Sequence, residues 1–110
     1  MTAMAPRQVE IGVDHPAFDG HFPGQPLLPG VAILAEVLEA AQADAALAAC
    51  IGPAPILNVA KFLAPVRPGV TLAIDFRLGA TALAWTVREG EQVAASGQFG
   101  RVDIAVAAPR

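Results

Sequence analysis

Residues 70 to 104 hold three runs in which apolar and polar residues alternate, with almost nothing between them. "VTLAIDFRL" (70–78) places Val70, Leu72, Ile74, Phe76 and Leu78 on one face, and "TALAWTVR" (81–88) repeats the pattern through Leu83, Trp85 and Val87. "QVAASGQFGRVDI" (92–104) follows as a last long strand, with a bulge expected near Gly97 or Gly100. Successive strand side chains point to opposite faces, so each run reads as a strand with one buried face. Gly79 and the "EGE" triplet at 89–91 leave room only for tight turns, and tight turns join antiparallel neighbours. A chain built on such a meander must cover one apolar sheet face with something else.

The rest of the chain supplies the cover. Val31 to about Ala49 is made mostly of Ala, Leu, Val, Glu and Gln, good helix formers, and Gly52, Pro53 and Pro55 end the run. "RQVEIGV" (7–13) alternates as a further half-buried strand. "ILNVAKFLAPV" (56–66) is apolar on both faces, the pattern of a covered strand, and "RPG" (67–69) turns the chain. The order is strand, loop, long helix, then about four antiparallel strands. The economical α+β arrangement of these elements is a single domain, residues 1–110, with the sheet curled round one long central helix. Trp85 is expected in the core or an interface, and Asp75 and Arg77 on a solvated face. Cys50 reads as a small buried apolar residue, and the tail 105–110 as loose.

Composition narrows the partners. Hydrophobic residues make up 55% of the chain and charged residues 15%, a surplus of apolar surface that suggests an oligomer interface or a lipid-like ligand. The longest apolar stretch is interrupted by Glu36, Glu39 and Asp44, which argues against a membrane span. A net charge of −3, with no basic run, makes nucleic acid a poor partner. No basic segment followed by an apolar one opens the chain, and Cys50 is its only cysteine, so a cytoplasmic address is expected.

The candidate chemistry lies in "GHFPGQPLLPGVAILAE" (20–36), where three glycines and three prolines surround His21 just ahead of the helix. Pro29 and Gly30 fall at the helix N-terminus. There the first amides have no partner within the helix, and the dipole adds partial positive charge. A carbonyl gaining negative charge would be stabilised at that point. His21, with an imidazole suited to moving protons near neutral pH, stands nine residues earlier. A base and a carbonyl polariser are the minimum equipment for abstracting a proton α to a thioester carbonyl. From the residues alone, a lone histidine in such a loop is more often structural, and the reading stops at an acyl-ligand or interaction domain.

"GHFPGQPLLPGV" resembles the signature loop of the β-hydroxyacyl-acyl carrier protein dehydratases, and "AKFLAPVRPGVTL" (60–72) resembles the strand and turn after that family's central helix. The resemblance implies the hot-dog fold and a homodimer with sites at the subunit interface, with assembly beyond the dimer left open. It implies that His21 is the catalytic base and that the Gly30 amide binds the thioester carbonyl, with Pro29, Val31 and Phe22 lining the substrate site. The implied reaction converts a 3-hydroxyacyl thioester to a trans-2-enoyl product without a cofactor or metal. The carrier would be acyl carrier protein or coenzyme A. Lys61 and Arg67, among five basic residues of the strand-rich half, are candidates for docking an acidic carrier.

One departure matters. The family places an acidic residue fourteen positions after the histidine, and here that position is Ala35. Glu36 is the next residue, rotated ~100° round the helix; Glu39 is displaced by only ~40° but lies ~6 Å further along. Either is a candidate displaced acid, supplied by the partner subunit, and either is equally an ordinary polar helix residue. Val70 replaces another acidic position, with consequences only for the turn. His15 reads as an exposed loop residue at a strand end. A dehydratase, a non-catalytic acyl-binding module and a hot-dog thioesterase share this fold, and are preferred in that order.

Overall fold

The computed structural model describes residues 2–3, 6–18 and 27–104. His21 and Phe22 therefore lie outside the described residues, as does the tail expected to be loose. In chain order the elements are β1 (Thr2–Ala3), β2 (Arg7–Ile11), a 3₁₀ turn (Pro16–Phe18), α1 (Gly30–Gln42) and α2 (Ala45–Ile51). Then come β3 (Leu57–Phe62), β4 (Val70–Leu78), β5 (Ala82–Glu89) and β6 (Gln92–Gly100). All pairings are antiparallel. The order across the sheet is β1-β4-β5-β6-β3, with β2 also paired to β4.

The alternating runs behave as their pattern demands. Leu72, Ile74 and Phe76 of β4 and Leu83, Trp85 and Val87 of β5 are all buried. They face Ile33, Val37, Ala40 and Ala41 of α1 and Leu47, Cys50 and Ile51 of α2 in one core. A one-residue slip would turn each strand's apolar set outward, so burial fixes the register. No charged or polar side chain among the described residues is buried.

Three expectations need correction. The helix expected to run unbroken from Val31 to about Ala49 is two helices. Asp44 adopts an extended backbone between them, and its carboxylate accepts from the amides of Ala46 and Leu47. An aspartate gains more by capping a helix than by continuing one, so the chain breaks and restarts there. The strand expected over residues 56–66 is shorter and is not covered. β3 is an edge strand, paired only with β6 among the described residues, and most of its side chains are exposed. Its two-sided apolar pattern therefore marks surface. The bulge on the last strand falls at Ala94, where the β5–β6 register shifts between Val87 and Arg88; a second shift, between Leu57 and Val59 of β3, lies opposite Phe99 and Gln98, between Gly97 and Gly100. Asp75 keeps its place on the polar face of β4, paired with Arg88.

The last described residues are tied down. Val102 donates its amide to the Cys50 carbonyl at 2.8 Å. Arg101 donates to the Gly79 carbonyl and grips Asp103 through Nε and Nη2 at 2.9 and 3.0 Å. Cys50 is buried, and that burial, with Asp103 beside it, pushes its thiol pKa upward, as expected of an inert core cysteine. The guanidinium in turn holds the Asp103 carboxyl down at about 2. A depressed folded-state pKa contributes stability that is present above the unfolded value, near ~3.9, and lost as pH falls through the folded one. Asp103→Asn should therefore melt below wild type at neutral pH, with the gap closing as pH falls toward 2. Paired thermal melts check this; a gap independent of pH would mean that the ion pair contributes nothing.

Candidate active site

The start of α1 is built for exposed amides. Pro29, extended at φ −66° and ψ 154°, is the N-cap and offers no side-chain cap. Its carbonyl accepts from the amides of Ala32 and Ile33 at 2.9 and 3.2 Å. The amides of Gly30 and Val31 have no acceptor within the helix and stand at the positive end of its dipole.

Beside them runs a groove of about 400 Å³, lined on one wall by Leu27 to Gly30, on the other by Phe62 to Pro65, and floored by Ile33. Two features hold the walls. The Leu28 amide donates to the Val66 carbonyl at 2.7 Å, joining the chain before α1 to the chain after β3. On the far side the amides of Leu63 and Ala64 both donate to the carbonyl of Ala94. Ala94 is the residue that the β5–β6 register shift leaves without a partner opposite on β5. The bulge thus turns a carbonyl to the groove wall. Gly30 lets the Phe62 ring approach closely: a Cβ on it would stand 3.1 Å from the ring, which would have to give by a few tenths of an ångström.

The sequence candidates separate in space. Pro29 and Gly30 line the groove; Val31 does not, and at 77% exposure it faces outward. Glu36 and Glu39 lie away from the groove of their own chain. Both line a smaller groove of about 170 Å³ against Arg7, Gln8 and Val9 of β2. Glu39 is exposed, whereas Glu36 is half-buried and its Oε2 meets His15 Nε2 at 3.0 Å. His15 is thus a half-buried, paired residue and not the exposed loop residue expected: the strand end it occupies is folded onto α1. Lys61 and Arg67 are exposed and flank the Phe62–Pro65 wall in the sequence. That wall was missed as a site. Its signal was two large apolar residues in succession, Phe62 and Leu63, which the end of the edge strand leaves exposed.

A curved antiparallel sheet packed on a helix, with an apolar groove at the helix N-terminus, is the hot-dog architecture. The chain belongs to the ApeI-like dehydratase family, whose model, described as ApeI dehydratase, matches residues 3–98. The 3-hydroxyacyl-[acyl-carrier-protein] dehydratase FabZ of Chlamydia trachomatis serovar L2 is 35% identical over 111 residues, covering 86% of this chain and 69% of that protein. FabZ of Protochlamydia amoebophila is 45% identical over 71 residues, covering 59% of this chain and 44% of that protein. Among solved structures, the dehydratase heterocomplex ApeI:P from Xenorhabdus doucetiae aligns at a TM-score of 0.69 and 28% identity, over 92% of this chain and 94% of that one. A chain from Prochlorococcus marinus, with a TM-score of 0.61 and 16% identity over 96% of this chain and 88% of its own, shares the fold alone. No helix among the described residues is long and apolar enough to cross a membrane.

Proposed function

We propose that this protein dehydrates 3-hydroxyacyl thioesters carried by acyl carrier protein. The observation that supports the reading best is the uncapped start of α1 opening onto an apolar groove, directly after the histidine loop. In this reading the thioester carbonyl accepts from the Gly30 amide and the acyl chain lies along the groove. His21 takes the α proton. The electron pair of that C–H bond forms the new double bond, the C–O bond at the β carbon breaks, and the hydroxyl leaves as water with a proton from an acid. The elimination is redox-neutral and requires no electron acceptor.

The acid comes from a second subunit. Val31, Ala35 and Glu39 succeed one another at four-residue intervals, within ~40° steps of one helix face, and all are exposed. Edge strand β3 adds Leu57, Val59 and Phe62, each at least 40% exposed, and a row of unpaired backbone groups. A homodimer closed over this surface brings Glu39 of one subunit toward the groove of the other. A partner of different sequence, as in the Xenorhabdus doucetiae heterocomplex, would instead bring its own carboxylate where this chain has Ala35. Sedimentation of the purified chain separates these cases, and a monomer that is fully active would overturn both.

Incubation with 3-hydroxyacyl and enoyl thioesters, followed by mass spectrometry, tests the reaction. Interconversion by loss or gain of water is the expected result. Release of free acid would identify a thioesterase, and binding without change an acyl-binding module. Reversing Lys61 and Arg67 to glutamate should weaken carrier-linked substrates more than short coenzyme A analogues, because both charges are exposed, lie next in sequence to the groove wall, and act on an acidic carrier at long range. Equal loss on both substrates would remove the carrier from the reading.

A further inference from the structure

The contact between His15 and Glu36 is not used by the proposed chemistry, and its geometry is specific. His15 closes the turn after β2, its amide donating to the Gly12 carbonyl at 3.1 Å. Pro16 follows it and disfavours the helical backbone at residue 15. The imidazole is then addressed from both sides. The Ala17 amide donates to Nδ1 at 3.1 Å, so Nδ1 is an acceptor and carries no proton. The proton of the neutral ring therefore sits on Nε2, which points at Glu36 Oε2 at 3.0 Å. The backbone sets the tautomer, and the tautomer requires an acceptor at residue 36. Both side chains are only about one-fifth exposed, at 22% and 21%, so the pair is partly shielded from water.

Its place in the chain gives it a consequence. The segment between His15 and Pro29 carries His21, and both of its described ends rest on α1. One end continues into the helix through Pro29 and Gly30. The other is held at Glu36, six residues along, or ~9 Å down the axis. The Glu36 carboxylate is thereby committed to the turn that leads into the histidine loop, on the β2 flank of the helix. Glu39 lines the same flank but is exposed, and the contact with His15 is made by Glu36.

We infer that Glu36 is a positioning residue, which through His15 holds the entry to the histidine loop on α1, and that it is not the proton donor. The inference rests on the dehydratase reading for its effect on turnover, but the contact itself can be measured without it. An acid and an anchor differ in what they tolerate. Glutamine keeps an oxygen that accepts from Nε2–H but cannot give up a proton to a leaving hydroxyl. Glu36→Gln should therefore retain kcat within about threefold, whereas Glu36→Ala should lower kcat by up to the ~10²-fold that a small misplacement costs, with KM changed less. His15→Ala should lower kcat at least as much as Glu36→Ala, since it also removes the acceptor of the Ala17 amide, and the double variant should be no worse than His15→Ala, because the contact with Glu36 is already gone. Nitrogen-15 spectra of the His15 ring should show the Nε2–H tautomer in wild type and in Glu36→Gln, and a changed ring signal in Glu36→Ala. Loss of kcat in Glu36→Gln equal to that in Glu36→Ala would make Glu36 the acid and overturn the inference. So would a proton on Nδ1, or an active enzyme indifferent to Glu36→Ala. If wild type interconverts no thioester, the dehydratase reading fails by itself, and the ring spectra alone decide the contact.

Discussion

Replacing His21 by alanine is expected to lower dehydration by about 10²–10⁴-fold, the range for loss of a general base, while the fold persists. The fold should persist because the core that closes the sheet on α1 and α2 is assembled from other residues. Turnover should fall because the elimination begins with a proton that the amides at the start of α1 cannot accept: they stabilise charge on the carbonyl but are donors only. Single-turnover rates with a 3-hydroxyacyl thioester, at matched melting temperature, are the measurement. Undiminished turnover would remove His21 from the reaction. The companion changes locate the acid. Glu39→Gln should cost within the same ~10²–10⁴-fold range if that carboxylate protonates the leaving hydroxyl. Ala35→Glu should restore rate to Glu39→Gln, since it returns a carboxylate to the same outward face. If Glu39→Gln is silent and Ala35→Glu brings no gain in a folded dimer, the acid belongs to a different partner chain.

Gly97→Ala is expected to be the most damaging small substitution in the sheet. Gly97 is buried on β6 and pairs with Trp85 of β5 and Ala60 of β3. The indole packs against it: an added Cβ would stand 2.7 Å from Trp85 Cε2 and closer still to Cζ2 and to the Val59 carbonyl oxygen. No real Cβ makes such contacts, and neither obstacle is a flexible side-chain end. Trp85 is 1% exposed and packs on Phe99 with ring centroids 6.2 Å apart, and the Val59 oxygen belongs to the backbone. Overpacking of this kind costs about 1–3 kcal/mol, occasionally more, which for a domain of this size lowers the melting temperature by roughly 4–8 °C per kcal/mol. Trp85→Phe on the same background removes the overlapping part of the indole and should recover part of the loss, so the two changes should be non-additive in a double-mutant cycle. Additive losses would show that Gly97 serves the Val59 backbone alone. A neutral Gly97→Ala would show that the strand pair can shift to make room.

Much of this molecule was readable before any coordinates, wherever one residue's chemistry acts on its immediate neighbours. Alternation between faces at β4 and β5 follows from the pleat itself, and the short turns at Gly79 and Gly90 leave antiparallel pairing as the only connection. Pro29 and Gly30 marked the helix start because proline lacks the amide that a helix interior needs and fits where the first amides go unpaired. Asp44 carried a cap signal, but one aspartate in a run of helix formers is overruled or obeyed according to what the helix packs against. The other decisions were made at long range. The apolar pattern of β3 is the same for a covered strand and for an exposed edge, and only its place beside β6 shows that it is the edge. The groove depends on Leu28 meeting Val66 and on the Ala94 carbonyl reaching Leu63 and Ala64, contacts between segments whose separation along the chain hides their proximity. Glu36 and Glu39 look alike in the sequence. The turn after β2, folded back onto α1, pairs one of them with His15 and leaves the other exposed on the same flank.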